Sequence, residues 1–196
     1  MGLDQYLNVT ITTAKKTIAP ERLQRTKETL NSLLKSHQVN DIYTLNPESP
    51  TVKLEPVINI DGYNTDNYEL FHVSDTERYY CKANQIQNYF EERFYEDGND
   101  YDGDEYDNVV TKINDLTIND IIARINNIES SKETAKEEFP TTEGFFYGST
   151  EYDEFYFEKN NEFKSDLIEL QKIRNEINEK LKNTDYHAII TYSSWW

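Results

Sequence analysis

The stretch LDQYLNVTITT, residues 3–13, decides the fold. Leu7, Val9 and Ile11 alternate with Asn8, Thr10 and Thr12. A period of two sends successive side chains to opposite faces, so the stretch predicts a half-buried strand, apolar inward and polar outward. At the other end YHAIITYSS (186–194) reads the same way, ahead of Trp195-Trp196. Between them the apolar positions change to helical spacing. One helix runs from Pro20 to about His37, with Leu23, Leu30, Leu33 and Leu34 as its stripe. A second covers 79–95, with Tyr79, Ala83, Ile86, Phe90 and Phe94 on one face. A third covers about 118–129, opened by a capping-box-like Thr117/Asp120 pair, and the longest spans about 162–183.

Strands also fit 51–60, where Pro56 demotes the segment to an edge or bulge, while 38–50 reads as loop and 129–142 as polar linker. GFFYG (144–148) reads as a short buried strand or turn. Helices and strands mix without βαβ regularity, which makes the class α+β. The expectation is a single domain over residues 1–196. It has a small antiparallel sheet holding the N- and C-terminal strands, packed by about four helices, with an acidic loop at 96–108.

Charge is the strongest functional signal. The chain carries −17, and residues 91–158 hold 20 acidic against 5 basic side chains. The flanking segments are near neutral. Such a field repels nucleic acid and anionic membrane and attracts basic surfaces. Fifteen excess charges correspond to roughly 25 Å of duplex at about 1.7 Å per charge, so a DNA mimic is one form of this reading. Fifteen Tyr and nine Phe oppose disorder, because acidic disordered chains are poor in aromatics. Cys81 is the single cysteine, so an intrachain disulfide cannot form, as suits a reducing cytosol. The start shows no signal-peptide pattern, and apolar runs are too short to span a bilayer.

The chemical motifs are sparse. Anchoring EDGNDYDGDEYDN (96–108) on Gly103 as the EF-hand glycine puts Gly98 at position 1 and Val109 at position 12. Two required ligands are then missing, and a solvated loop is the plainer reading. His37, His72 and His187 have no metal-ligand spacing. Lys82 beside Cys81 is weak grounds for a reactive thiol. Walker A, GxGxxG and GxSxG motifs are missing, so the expectation is no metal and no cofactor. In GSTEYDEFYFE (148–158), Ser149 or Thr150 would cap a helix beginning at Glu151.

The blocks GLDQYL (2–7), YYCKANQIQNYF (79–90), FPTTEGFFYGSTEYDEFYFE (139–158) and YSSWW (192–196) follow one another in this order. Together they resemble an uncharacterised family of small phage and prophage proteins. Members of that family typically start Gly-Leu-Asp-Met-Tyr-Leu and carry a Lys-Ala-Asn-Gln/Ala-Ile-His-x-Trp-Phe block. This chain departs from that pattern at Gln87 and Tyr89, and it has an acidic run where the family tends to have a Cys-containing stretch. The resemblance implies a phage origin, work in the host cell cytoplasm and a shared α+β scaffold. It implies no activity.

Three readings of function follow. The first is inhibition of a host protein, in defence or nucleic-acid binding, by contact with its basic surface. The contact residues would be Tyr95, Asp97, Asp100, Tyr101, Asp102, Asp104, Glu105, Tyr106, Asp107, Glu151, Tyr152, Asp153, Glu154 and Tyr156. The second is sequestration of a small nucleotide-like ligand by Lys82, Asn84, Gln85, Tyr147, Ser149 and Glu151. The third is an enzyme using Asn84, Glu151, Tyr152 or Asp153. Direct nucleic-acid or membrane binding is not expected.

Overall fold

The computed structural model describes residues 2–16, 20–35, 42–44, 52–53, 68–96, 110–128 and 131–195. The strand read at residues 3–13 is β1, Asp4–Lys16, and it pairs antiparallel with β7, Tyr186–Trp195. Ten consecutive residue pairs join them, from Asp4↔Trp195 to Thr13↔Tyr186. The remaining strands are β2 (Ile42–Thr44), β3 (Val52–Lys53), β4 (Tyr68–Val73), β5 (Arg78–Cys81) and β6 (Val110–Ile113). The sheet order is β2-β4-β1-β7-β6-β3. β5 continues the β4 side of β1, pairing Arg78–Cys81 with Asp4–Leu7. Among the described residues every pairing is antiparallel except the two-residue β3/β6 contact. The protein is α+β, with the N- and C-terminal strands side by side in the sheet.

The register puts Leu7, Val9 and Ile11 on one face with Tyr192, Ile190 and Ala188. Two helices cover that face: α2 (Asn84–Glu96) and α5 (Glu154–Leu181). Phe90 of α2 stacks on Tyr192 with ring centres 4.0 Å apart, and Phe163 of α5 meets Tyr80 edge-on at 5.2 Å. Packed around them are α1 (Pro20–Leu34), which buries Leu30 and Leu34, and α3 (Asp115–Ile128), which buries Ile118, Ile121, Ile125 and Ile128.

The other face of β1 is not the solvated surface its polarity suggests. Asn8, Thr10 and Thr12 are buried. Thr10 Oγ1 lies 2.9 Å from His72 Nδ1 and 2.8 Å from Thr191 Oγ1. Polar residues can occupy an interior when they satisfy one another, and alternation alone cannot distinguish that from exposure. Burial holds His72 down at a pKa of about 4.

Several boundaries differ from expectation. Tyr79–Cys81 belong to β5, and Tyr79 is half exposed, because the edge of β1 captures these β-favouring residues before the helix begins. Lys82, at φ 57°, makes the break. Gln5 sets the start of α2: its side-chain oxygen accepts from Ala83 N–H, and its amide donates to Ala83 C=O, both at 3.0 Å. The cap of α3 is Asn114, whose side chain accepts from Thr117 N–H at 2.9 Å; Asp120 instead pairs with Arg124. The expected linker contains a further helix, α4 (Lys132–Glu138), capped by Ser131. α5 starts at Glu154, well before residue 162, because Asp153 accepts from Tyr156 N–H at 3.1 Å and takes the capping role assigned to Ser149 or Thr150. β2 lies in the expected 38–50 loop. Of the expected 51–60 strand, only Val52–Lys53 fall among the described residues. β4, β5 and β6 carry no clean alternation and were not foreseen.

Candidate functional site: an anchored acidic-aromatic turn

The blocks GLDQYL, KANQIQNYF and GFFYGST are far apart in sequence, yet they meet at the turn of residues 144–149. Leu3 N–H donates to Phe146 C=O at 3.1 Å, and Tyr147 N–H closes the turn on Gly144 C=O at 3.1 Å. Asn84, at the start of α2, donates from Nδ2 to Ser149 C=O at 2.7 Å and to Tyr147 C=O at 3.3 Å. Gly148 has φ 91°, and a Cβ there would sit 2.9 Å from the Cβ of Lys82, so glycine permits both the turn and this approach.

Tyr147 ties the turn to the interior. Its hydroxyl donates to Glu91 Oε1 at 2.7 Å, and the same oxygen accepts from Gln87 Nε2 at 2.8 Å. Gln87 Oε1 accepts from Tyr192 OH at 2.7 Å, and Tyr192 OH accepts from Gln5 Nε2 at 2.9 Å. A hydrogen-bonded relay thus runs from the turn to the centre of the sheet. Gln87 is a buried link in it.

This frame holds an exposed side chain, whose ring meets that of its neighbour Phe146 edge-on at 4.8 Å. Phe145 is 94% exposed, at the tip of the turn. Phe155, in the first turn of α5, is 46% exposed. Glu143, Glu151, Asp153 and Glu154 are exposed beside them in sequence, and residues 143–155 contain no basic side chain. Of the expected contact residues, Glu151, Asp153 and Glu154 therefore lie on the surface, although Asp153 also caps α5. Three of the expected aromatic anchors do not face outward. Tyr156 is 2% exposed and donates to Phe139 C=O at 2.7 Å. Tyr152 is half-buried against Tyr156 and accepts from Thr141 N–H at 3.1 Å. Burial raises the Tyr156 hydroxyl above its ordinary range. Tyr95 is half-buried against Phe94. Asp97, Asp100, Tyr101, Asp102, Asp104, Glu105, Tyr106 and Asp107 lie outside the described residues.

The expected ligand residues divide differently. Lys82, Asn84, Tyr147 and Ser149 do come together, but as the clasp of the turn, with Asn84 donating to backbone carbonyls. Gln85 turns inward and donates to Asn160 Oδ1 at 2.9 Å. Glu151 is outside the clasp. Sequence reasoning missed Phe145 and Phe155. GFFYG reads as a short buried strand or a turn, which does not single out Phe145; the turn is what forms, and the two flanking glycines were the available sign of a tip.

Among the described residues no helix is long and apolar enough to cross a membrane, and no group of three His, Cys, Asp or Glu could hold a metal. Fold and site together define an α+β scaffold presenting exposed phenylalanines among carboxylates. No family model, curated protein or solved structure matches the chain.

Proposed function

We propose that this is an interaction protein that docks on a basic protein surface with Phe145 as its anchor, and that it acts as a phage-encoded inhibitor of a host protein. Phe145 carries the reading. It is almost wholly solvated, yet the turn that holds it is hydrogen-bonded to β1 and α2. An exposed aromatic on a preordered turn gains apolar burial on docking without paying to order the backbone. The carboxylates at 143, 151, 153 and 154 select a basic partner and speed encounter. Exposed phenylalanines, which a phosphate backbone lacks, favour protein-like docking over DNA mimicry. The phage origin and the inhibitory role rest on the resemblance of these sequence blocks.

The test is capture from host-cell extract with tagged wild type, Phe145→Ala, and Glu151→Gln/Glu154→Gln. A partner seen with wild type should be retained roughly 30-fold less well by Phe145→Ala, as expected for about 2 kcal/mol at a contact anchor. Its association with the charge variant should be slower and less salt-sensitive. Retention by folded Phe145→Ala at wild-type affinity overturns the proposal.

A further inference from the structure

The sheet face turned away from α2 and α5 is buried at Asn8, Thr10 and Thr12 and comes to the surface at its Asp4 end. There the register sets Cys81, Asp4 and Trp195 in one row across β5, β1 and β7, with Tyr79 and Tyr6 paired in the next row. Directly paired residues, and residues two apart on a strand, project from the same face, so Asp4 lies among three aromatic side chains. The contacts agree with the register. The Tyr6 and Tyr79 rings lie 5.4 Å apart at 46°. Tyr79 OH donates diagonally to Asp4 Oδ1 at 2.5 Å, and this bond raises the Tyr79 hydroxyl above its ordinary range. Burial, then the charges of Asp4 and Glu77, raise the Tyr6 hydroxyl as well. Tyr79 and Trp195 are each half exposed. Among the described residues Asp4 has no cationic partner. The neighbouring bases are turned elsewhere: Arg78 pairs with Asp166 and Glu169 of α5, and Lys82 runs its stem along Gly2 and Gly148.

From this arrangement we infer that the Asp4 end of the sheet takes the guanidinium of an arginine side chain on a partner protein, an inference that rests on the docking reading above for the source of that arginine. A guanidinium is planar: it stacks on aromatic faces and donates to a carboxylate in the same pose. Asp4 Oδ2 takes no part in the Tyr79 bond and is left to accept from it. A cation held there is also attracted by the faces of rings whose centres come within about 6 Å. A lysine ammonium would meet the carboxylate as a point charge but could not stack. A quaternary ammonium has no N–H for Asp4 and is bound by aromatic cages, whereas this surface is open. The place also suits the partner already argued. Leu3, the residue before Asp4, donates to Phe146 C=O, so the site adjoins the Phe145 turn and one basic surface can cover both.

The probe is the blocked peptide acetyl-Gly-Arg-Gly-amide, compared with its lysine counterpart at constant ionic strength and followed by NMR of the Tyr79 ring and Trp195 indole. The expected result is a saturable, millimolar response to the arginine peptide and binding of the lysine peptide that is weaker by about threefold or more. Asp4→Asn keeps an acceptor for Tyr79 while removing the charge, and should weaken arginine binding about fivefold. Trp195→Ala, read at Tyr79, should weaken it about threefold. Asp4→Asn carries the test if Trp195→Ala fails to fold. A linear, non-saturating response, equal affinity for the two peptides, or unchanged affinity in folded Asp4→Asn overturns the inference. The titration contains no host protein, so its failure leaves the Phe145 docking reading to the capture experiment, and failure of the capture leaves the peptide result standing.

Discussion

Replacing Tyr192 with Phe removes a single oxygen from the centre of the relay while keeping the ring that stacks on Phe90. Tyr192 is fully buried. Its hydroxyl donates to Gln87 Oε1 at 2.7 Å and accepts from Gln5 Nε2 at 2.9 Å. The two losses are unequal. Gln5 Nε2 keeps its bond to Ala83 C=O, so little is lost there. Gln87 Oε1 loses its donor in a buried site, and an unsatisfied buried acceptor costs about 1–3 kcal/mol. The expected destabilisation is about 2 kcal/mol, or a fall of roughly 4–8 °C in the thermal midpoint for a chain of this size. Urea unfolding at pH 7 should show a lower midpoint with an unchanged slope, since the surface exposed on unfolding is the same. In a cycle with Gln87→Met, the double variant should be less destabilised than the sum of the singles by about 1 kcal/mol, because the unsatisfied acceptor has been removed. A Tyr192→Phe protein within about 0.5 kcal/mol of wild type would show that the relay contributes nothing net, and the account of how the turn is tied to the sheet would fall.

Gly148→Ala should destabilise by about 2 kcal/mol, combining a left-handed backbone with a 2.9 Å approach to Lys82 Cβ, and a wild-type urea midpoint would contradict the packing of the clasp. Phe145→Ala should leave the midpoint within about 0.5 kcal/mol, since an exposed side chain packs on little, and a larger fall would mean that Phe145 belongs to the fold. Ser131→Ala should cost about 1 kcal/mol through loss of the α4 cap, read as faster amide exchange in Lys132–Glu138; unchanged exchange would refute the cap. For His72, the folded pKa of about 4 lies below the ordinary 6.5, so the folded state favours the neutral ring. Its contribution is complete above pH 6.5 and is lost as pH falls toward 4, about 3 kcal/mol in all at about 1.4 kcal/mol per unit. The stability gap between wild type and His72→Gln should therefore narrow between pH 7 and pH 4.5, and a constant gap would refute the buried neutral histidine.

The sequence by itself determined the terms that depend on local order. The alternation of residues 3–13 and 186–194 made two strands. The isoleucine spacing of 118–128 and the apolar positions of 163–181 made two helices, and the segregation of acidic residues marked a strongly negative segment. These are visible because side-chain period and charge are properties of neighbours in the chain. Tertiary structure decided the rest. Tyr79–Cys81 became strand because β1 offered an edge, and Thr10 went inside because His72 and Thr191 satisfy it. Asp153, not Ser149, starts the longest helix, and Tyr156 turned in toward Phe139 while Phe145 was left in water. Each of these outcomes depends on a partner distant in sequence. The candidate site is the clearest case: its carboxylates could be read from composition, but its anchor became evident only once Leu3, Asn84 and Glu91 were seen holding a glycine-flanked turn with Phe145 pointing outward.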